Sequence, residues 1–408
     1  MRNKELPTLA THDSCTGCMA CGEICPTEAI SFNPDRDKFL YPAVADDVCV
    51  RCYKCMNVCP FVNSRKEERN YTLRVYASWA NKDARQESAS GGVFYALAEK
   101  VINDGGYACG AVFDGFSVKH IITNDVSGLH RIQGTKYQQS NVSGCYKQIL
   151  KLLKDGKKVI FGGTSCQVAG LIGVVGNEVT NLITVDLVCY GVPSPLNIWI
   201  EERMRRKKLK RIISNRDKKH QGGWLNSYHI ICEWEDGSIT DSTPEESFIF
   251  SAFNSGKTMR YSCYNCQFKQ VDRQSDITIG DFSGIKDYKE EWHDGISLTI
   301  THTSKGEAFL KSTKGLTIRE RSVKDALLSN RTLYSSDKID ANRWQRRYMS
   351  QLYNRAPLWF LKWAYSAVCK SGNPLLWPMT LEDLWLRRKR EKLSITSFNE
   401  ELKKHNEK

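Results

Sequence analysis

A chain of 408 residues, 41% of them hydrophobic, is long enough to bury a full core and to hold two or three domains. Its formal charge of +13 suits an anionic cofactor, acidic lipid or nucleic acid, but no nucleic-acid motif accompanies the charge, and nucleic acid is set aside as a partner. No apolar run reaches the roughly 20 residues that span a bilayer; the nearest, Pro357–Cys369, is interrupted by Lys362.

Met1–Ser14 is polar and lacks the apolar segment of a signal peptide. Next come two cysteine runs: Cys15, Cys18, Cys21, Cys25 with Pro26, and Cys49, Cys52, Cys55, Cys59 with Pro60. Each reads C-x2-C-x2-C-x3-C-P, the spacing that wraps a 4Fe-4S cluster. Three close thiolates curl round three corners of a cuboid, and the fourth lies too far along the chain and reaches the other cluster. The expected sets are therefore Cys15, Cys18, Cys21 and Cys59, and Cys49, Cys52, Cys55 and Cys25. Zinc takes four ligands from two C-x-x-C pairs and needs neither the third evenly spaced Cys nor the Cys-Pro. Two such clusters in residues 1–64 make a bacterial-type ferredoxin domain that moves electrons singly. Oxygen-sensitive clusters, many further thiols and no export signal point to a reducing cytoplasm.

A charged linker, 63–70, follows, and then strand and helix signals alternate. Val75–Trp79 reads as a strand, Val93–Ile102 as a helix with apolar residues at helical spacing, and Tyr107–Phe113 as a strand. Asn141–Asp155 reads as a helix, Lys157–Phe161 as a buried strand and Asn181–Val188 as another. Trp224–Trp234 has a mixed strand pattern. The class is α/β with partly parallel sheets, divided at 71–150 and 151–320, and beyond Arg319 the chain reads as a basic, Trp-rich helical tail, 321–408. The basic stretch Arg203–Lys219 reads as a solvated helical face.

Four later cysteines stand out. Cys166 follows the glycine turn Gly162-Gly163-Thr164-Ser165, Cys189 ends an apolar strand, and Cys263 and Cys266 form a C-x-x-C. A lone Cys in a strand is ordinarily inert core, and a C-x-x-C is a redox dithiol or half a zinc site. Together the four would complete a third 4Fe-4S cluster or a zinc site, if the fold gathers them. Two small-residue turns, Ser90-Gly91-Gly92 and Gly134-Thr135-Lys136, suit a phosphate as well as an ordinary turn: glycine allows close approach, a helix N-terminus offers N–H groups, and Lys136 adds charge. Asp281 is the best single polar candidate, with a turn-stabilising role as its alternative. His220, His229, His293 and His302 are scattered and receive no role.

These motifs resemble the coenzyme F-420 hydrogenase/dehydrogenase beta-subunit family. The matching stretches are Ser88–Leu97, Gln133–Tyr137, Gly162–Leu171, Asp186–Pro195, Cys263–Cys266 and Asp276–Gly284, in the family's order. The resemblance implies an oxidoreductase that binds FAD and exchanges electrons between it and iron–sulfur clusters, with coenzyme F-420 or another hydride carrier as acceptor and a ferredoxin or similar redox protein as partner. It implies FAD contacts at Ser90, Gly91, Gly92, Gly134, Thr135 and Lys136, and a third cluster at Cys166, Cys189, Cys263 and Cys266. The chain departs from the family pattern at Ser165, Tyr190 and Ser283. The rival reading is a non-catalytic electron-transfer subunit docking on a partner enzyme, in a polysaccharide pathway by the subgroup's habit. In the tail, Trp359, Phe360, Trp363, Trp377 and Trp385 beside Arg387–Arg390 suit either peripheral membrane contact or packing of a helical cap.

Overall fold

The computed structural model describes residues 5–63, 71–176, 179–218, 223–285, 287–334 and 396–405, together with Arg346, Pro357 and Trp359. The N-terminal domain repeats in backbone as it does in sequence. Gly17 and Met19 in the first run have φ of 71° and 62°, and Arg51 and Tyr53, at the same places in the second, have 53° and 57°. These left-handed bends turn each run inward, and one helical turn follows each, Ala20–Glu23 and Lys54–Asn57. Strands Ile30–Pro34 and Leu40–Val44 pair antiparallel between the two halves.

The rest is organised on an eight-stranded mixed sheet. Its centre is parallel: Tyr107–Asp114, Val159–Thr164, Leu182–Leu187 and Ile277–Asp281 lie side by side. These strands are nearly continuous apolar runs, as a sheet covered on both faces requires. Antiparallel strands flank them, Ser117–Thr123 on one side and Ser297–Thr303, Tyr71–Ala80 and Leu316–Arg321 on the other. Strands from 71–150 and from 151–320 thus share one sheet. A separate three-stranded sheet, Leu209–Ser214, Ile230–Trp234 and Ile239–Ser242, packs with helices Leu196–Arg205 and Phe248–Ser255.

One face of the large sheet carries helix Val93–Asn103, with Val93, Leu97 and Val101 in a core shared with Ile160 and Leu310. The other carries helices Cys145–Lys154 and Ser165–Val175, and there Cys18, Met19, Ala20 and Val58 join the same buried cluster as Tyr146, Phe161, Val168 and Leu171. The ferredoxin domain is therefore built into the core of the molecule.

Three local expectations are corrected. The helix expected from Asn141 starts at Cys145, because Asn141 is extended and bridges Lys119. Trp224–Asn226 is a 3-10 turn, and the strand begins only at Ile230. Beyond Arg319 the chain does not turn helical at once. Leu316 and Ile318 alternate into the core, and Arg319, Glu320 and Arg321 complete an edge strand against Ala77, Tyr76 and Val75. Helix Val323–Ser329 follows. Farther on, Phe398 and Leu402 pack against the buried cluster that includes Leu327 and Leu333. Trp359 is exposed. Phe360, Trp363, Trp377, Trp385 and Arg387–Arg390 lie outside the described residues, as does His220. No helix among the described residues is long and apolar enough to cross a membrane.

Candidate functional site

The two runs bring their thiols together in the crossed manner. Burial pushes the Cys18 thiol up to about 12, with Cys15 and Cys59 adding to the rise. Burial also raises Cys21, and the neighbours that reinforce it are Cys18, Cys15 and Cys59. The second set lines a recess of about 310 Å³ in which Cys25 of the first run stands beside Cys49, Cys52 and Cys55 of the second. Cys55 is raised by burial and then by Cys52 and Cys25. At Cys25 burial works upward too, but N–H groups of Thr27 and Ala29 outweigh it and lower the pKa, the Ala29 amide lying 3.3 Å from Sγ.

The first set is enclosed by the α/β region. Gly170 in helix Ser165–Val175 faces Cys18 so closely that a Cβ there would lie 3.1 Å from its sulfur, and a Cβ on Gly173 would lie 2.5 Å from the Val58 carbonyl. Gly17 meets Gln139 and Arg260 in the same way. The Gln139 amide donates to the Thr16 carbonyl at 2.9 Å. Glu23 is buried and accepts from the Gly144 and Lys147 amides, at 2.6 and 3.1 Å, placing a carboxylate on the N-terminus of helix Cys145–Lys154.

The four later cysteines, from three distant segments, line one recess of about 630 Å³ that also includes Thr16, Gln139, Lys269 and Arg273. Cys166 sits in the first turn of helix Ser165–Val175, Cys189 just after strand Leu182–Leu187, and Cys263 and Cys266 at the 3-10 turn Tyr261–Asn265. Burial raises Cys166 strongly, followed by Cys266, Cys189 and, across the domain boundary, Cys18. Burial lifts Cys263 to about 12, with Cys266 and Cys189 adding. Arg273 holds the frame behind them. One Nη donates to Ser165 Oγ at 2.7 Å, to Asp186 Oδ2 at 3.0 Å and to the Leu187 carbonyl at 2.9 Å. The departure at Ser165 thus has a use, since its hydroxyl receives Arg273. Among the described residues no three Cys, His, Asp or Glu converge closely enough to hold a single metal ion. The four thiols line the recess together.

The segments leading into the two glycine turns are joined: Gln133 Nε2, just before 134–136, donates to the Ala84 carbonyl and to Ser88 Oγ, just before 90–92, both at 3.2 Å. Gly92, with φ of 75°, begins helix Val93–Asn103, whose N-terminus no side chain caps among the described residues. Ser90 and Gly91 are already engaged: Ser90 Oγ donates to the Ile296 carbonyl and the Gly91 amide donates to Ser297 Oγ, each at 2.9 Å. Lys136 Nζ donates to the carbonyls of Arg131, Ile132, Gln133 and Gly134 at 2.6–3.3 Å, and so closes the C-terminal end of helix Val126–Ile132. Its charge is directed to those carbonyls. Nearby, Lys218 Nζ donates to the carbonyls of Arg85, Ser90 and Asp294.

Asp281 is a hub. Its carboxylate receives Arg216 at 2.7 Å and Trp224 Nε1 and Tyr228 OH at 3.3 Å. His229 and His293 each bind a neighbouring aspartate at the surface, and His302 is buried against Thr278. Reading the sequence missed Arg216, Arg260, Arg273, Gln139 and Gly170. Arg260 stands three residues before Cys263, and that proximity is the one local signal that marks it.

Two stretches of the chain match known protein domains. Residues 14–63 match the 4Fe-4S dicluster domain, and residues 156–324 match the domain described as the C terminus of the coenzyme F420 hydrogenase/dehydrogenase beta subunit. The chain joins a 4Fe-4S dicluster domain to the C-terminal domain of that beta-subunit family. It is an iron–sulfur, electron-transfer protein of oxidoreductase type, related to the F420 hydrogenase beta subunit. A chain of the xenon-derivatized F420-reducing NiFe hydrogenase complex from Methanosarcina barkeri is similar in structure: 16% identity, TM-score 0.44, covering 67% of this chain and 90% of that one. No curated protein matches.

Proposed function

We propose that this chain is an iron–sulfur flavoprotein oxidoreductase that exchanges electrons with an external redox protein, such as a ferredoxin, and with a hydride carrier, coenzyme F-420 or another. Cys15, Cys18, Cys21 and Cys59 would hold one 4Fe-4S cluster, and Cys25, Cys49, Cys52 and Cys55 a second. Cys166, Cys189, Cys263 and Cys266 would hold a third. The turns Ser90–Gly92 and Gly134–Lys136 would hold the anionic part of FAD, with backbone amides other than that of Gly91 as the donors. Bound clusters supply single electrons and a bound flavin supplies hydride chemistry, so one chain holding both converts between the two currencies.

The observation that carries this reading is the gathering of four thiols from three distant segments into one recess, one helical turn from Cys18. Cys166 and Gly170 lie four residues apart on one helix, roughly 6 Å along its axis. The protein's own part is to pack Cys18 of the first set into the core, to leave Cys52 of the second exposed, and to fix the frame of the third with Arg273.

Anaerobic purification with iron, zinc and flavin measured together tests it. About twelve irons per chain, four per cluster, are expected, with bound flavin. Cys263→Ala should remove roughly four irons and leave the N-terminal pair. An unchanged iron count removes the third cluster from the reading, and a preparation holding only zinc ends it. The second reading, a non-catalytic subunit, draws on the exposed Val48, Val50, Phe61 and Val62 of the ferredoxin domain, a surface suited to a protein partner. Turnover by the purified chain with a hydride donor and an artificial one-electron acceptor decides for the enzyme.

A further inference from the structure

Five arginines are buried among the described residues: Arg85, Arg216, Arg260, Arg273 and Arg346. Four have a carboxylate at ion-pair distance, namely Glu291, Asp281, Asp186 and Asp37 in that order. Arg260 has none among the described residues, although it is 0% exposed. A buried cation without a counter-charge is costly, and proteins supply a partner or an anionic ligand.

The surroundings of Arg260 show where that anion belongs. Nε donates to the Cys15 carbonyl at 2.7 Å, Nη1 to Gln139 Oε1 at 3.0 Å and Nη2 to the Leu40 carbonyl at 2.8 Å. Nη2 also points at Cys15 Sγ, 3.6 Å away. The guanidinium lies over Tyr41, 4.1 Å from the ring centre. Its backbone is fixed by the Val192 carbonyl and in turn receives the Cys263 amide, each at 2.9 Å. Arg346 is the internal control. It binds the adjacent Met259 carbonyl and is equally buried, yet has Asp37 for its charge. Two neighbouring guanidiniums thus differ in what faces their charge: a carboxylate for Arg346 and a cysteine sulfur of the first thiol set for Arg260.

We infer that Arg260 is the counter-charge and N–H···S donor of the cluster held by Cys15, Cys18, Cys21 and Cys59, and that it raises that cluster's reduction potential. A positive charge and a hydrogen bond at ligand sulfur both favour the more negative, reduced state, and these are among the protein's means of setting such potentials. The inference rests on the cluster assignment above and adds to it a positioning and tuning residue from outside the ferredoxin domain. It also makes the first cluster's potential depend on the segment that carries Cys263.

The test is a potentiometric titration followed by electron paramagnetic resonance on the full chain, isolated anaerobically, with iron counted in every sample. The first cluster's signal is assigned by its loss in Cys18→Ala. Arg260→Met should keep its iron and shift that cluster's reduction equilibrium at least tenfold toward the oxidised form, 59 mV for a one-electron couple. The second cluster should not move. Arg260→Lys, which keeps the charge, should recover most of the shift. Unchanged potentials in Arg260→Met, or a Lys variant as shifted as the Met variant, overturn the inference. If the variants lose the cluster or fail to fold, the wild-type site still decides. With arginine labelled by ¹⁵N in the guanidinium, in an Arg51→Lys background, the reduced first cluster should show a weak ¹⁵N coupling; its absence overturns the inference. Wild-type protein without iron fails earlier, and overturns the cluster reading itself.

Discussion

The two halves of the ferredoxin domain repeat one pattern and live in opposite surroundings. Ser14, Cys18, Met19 and Ala20 are buried, whereas the residues at the same places in the second half, Val48, Cys52, Tyr53 and Lys54, are exposed or half-buried. The backbone is the same in both, left-handed bends included. A side chain at Gly17 would push aside the ends of Gln139 and Arg260, whereas Arg51 fills the same conformation with a long side chain paired to Asp46. Glycine in the first half thus answers to a neighbour as much as to φ. An inner thiol set with Cys18 packed against a second domain and an outer one with Cys52 exposed is the asymmetry that gives a symmetric repeat a direction.

The sharpest way to break the comparison is at Gly170. Gly170→Leu drives a side chain into Cys18, and nothing in the rigid helix or the packed thiol can yield far. The inner set should lose its roughly four irons, with about 1–3 kcal/mol of overpacking cost, while the outer set keeps its own. Iron analysis with thermal unfolding checks this. Equal loss from both sets would mean that the halves are not independent.

Much of this asymmetry is hidden in the sequence, and the reason is physical. Ligand spacing within each cysteine run is a local property, so the crossed sets can be read directly. The sheet's central strands are legible because strands buried on both faces are continuous apolar runs. The third thiol set is nameable only as four residues, since its recess depends on Cys166, Cys189 and Cys263 meeting across more than ninety residues of chain. Arg260 is one of many basic residues in a chain of charge +13, and beyond its nearness to Cys263 it is burial that singles it out. The edge strand at 316–321 escapes a reading by pattern because Glu320, on the face of Leu316 and Ile318, is charged and exposed, which breaks the period of two.

A second, smaller break is at Glu23. Its carboxylate receives two amides at the start of helix Cys145–Lys154 and is buried, whereas Asn57 in the second half is exposed. Glu23→Ala should cost about 1–2 kcal/mol, a cap's worth, with Asn57→Ala near zero. Chemical denaturation of the two variants side by side measures the difference. A Glu23 variant no weaker than the Asn57 variant would show that the carboxylate does not hold the domain in place.

The smallest effect on stability, and the one that sharpens the functional side of the comparison, is at Val50. It is 61% exposed beside the outer thiols and lines their recess. Val50→Asp should leave stability within about 0.5 kcal/mol, because no buried contact is lost. If the outer half is the face that meets a redox protein, the same change should slow electron exchange with that protein severalfold, through lost apolar contact and an altered charge at the docking surface. Exchange with a small, uncharged one-electron carrier should be unaffected, since such a carrier needs no docking surface. Stopped-flow measurement with both carriers separates the cases. A variant slowed equally with both would place the effect inside the thiol recess, and one slowed with neither would move the docking face to another part of the molecule.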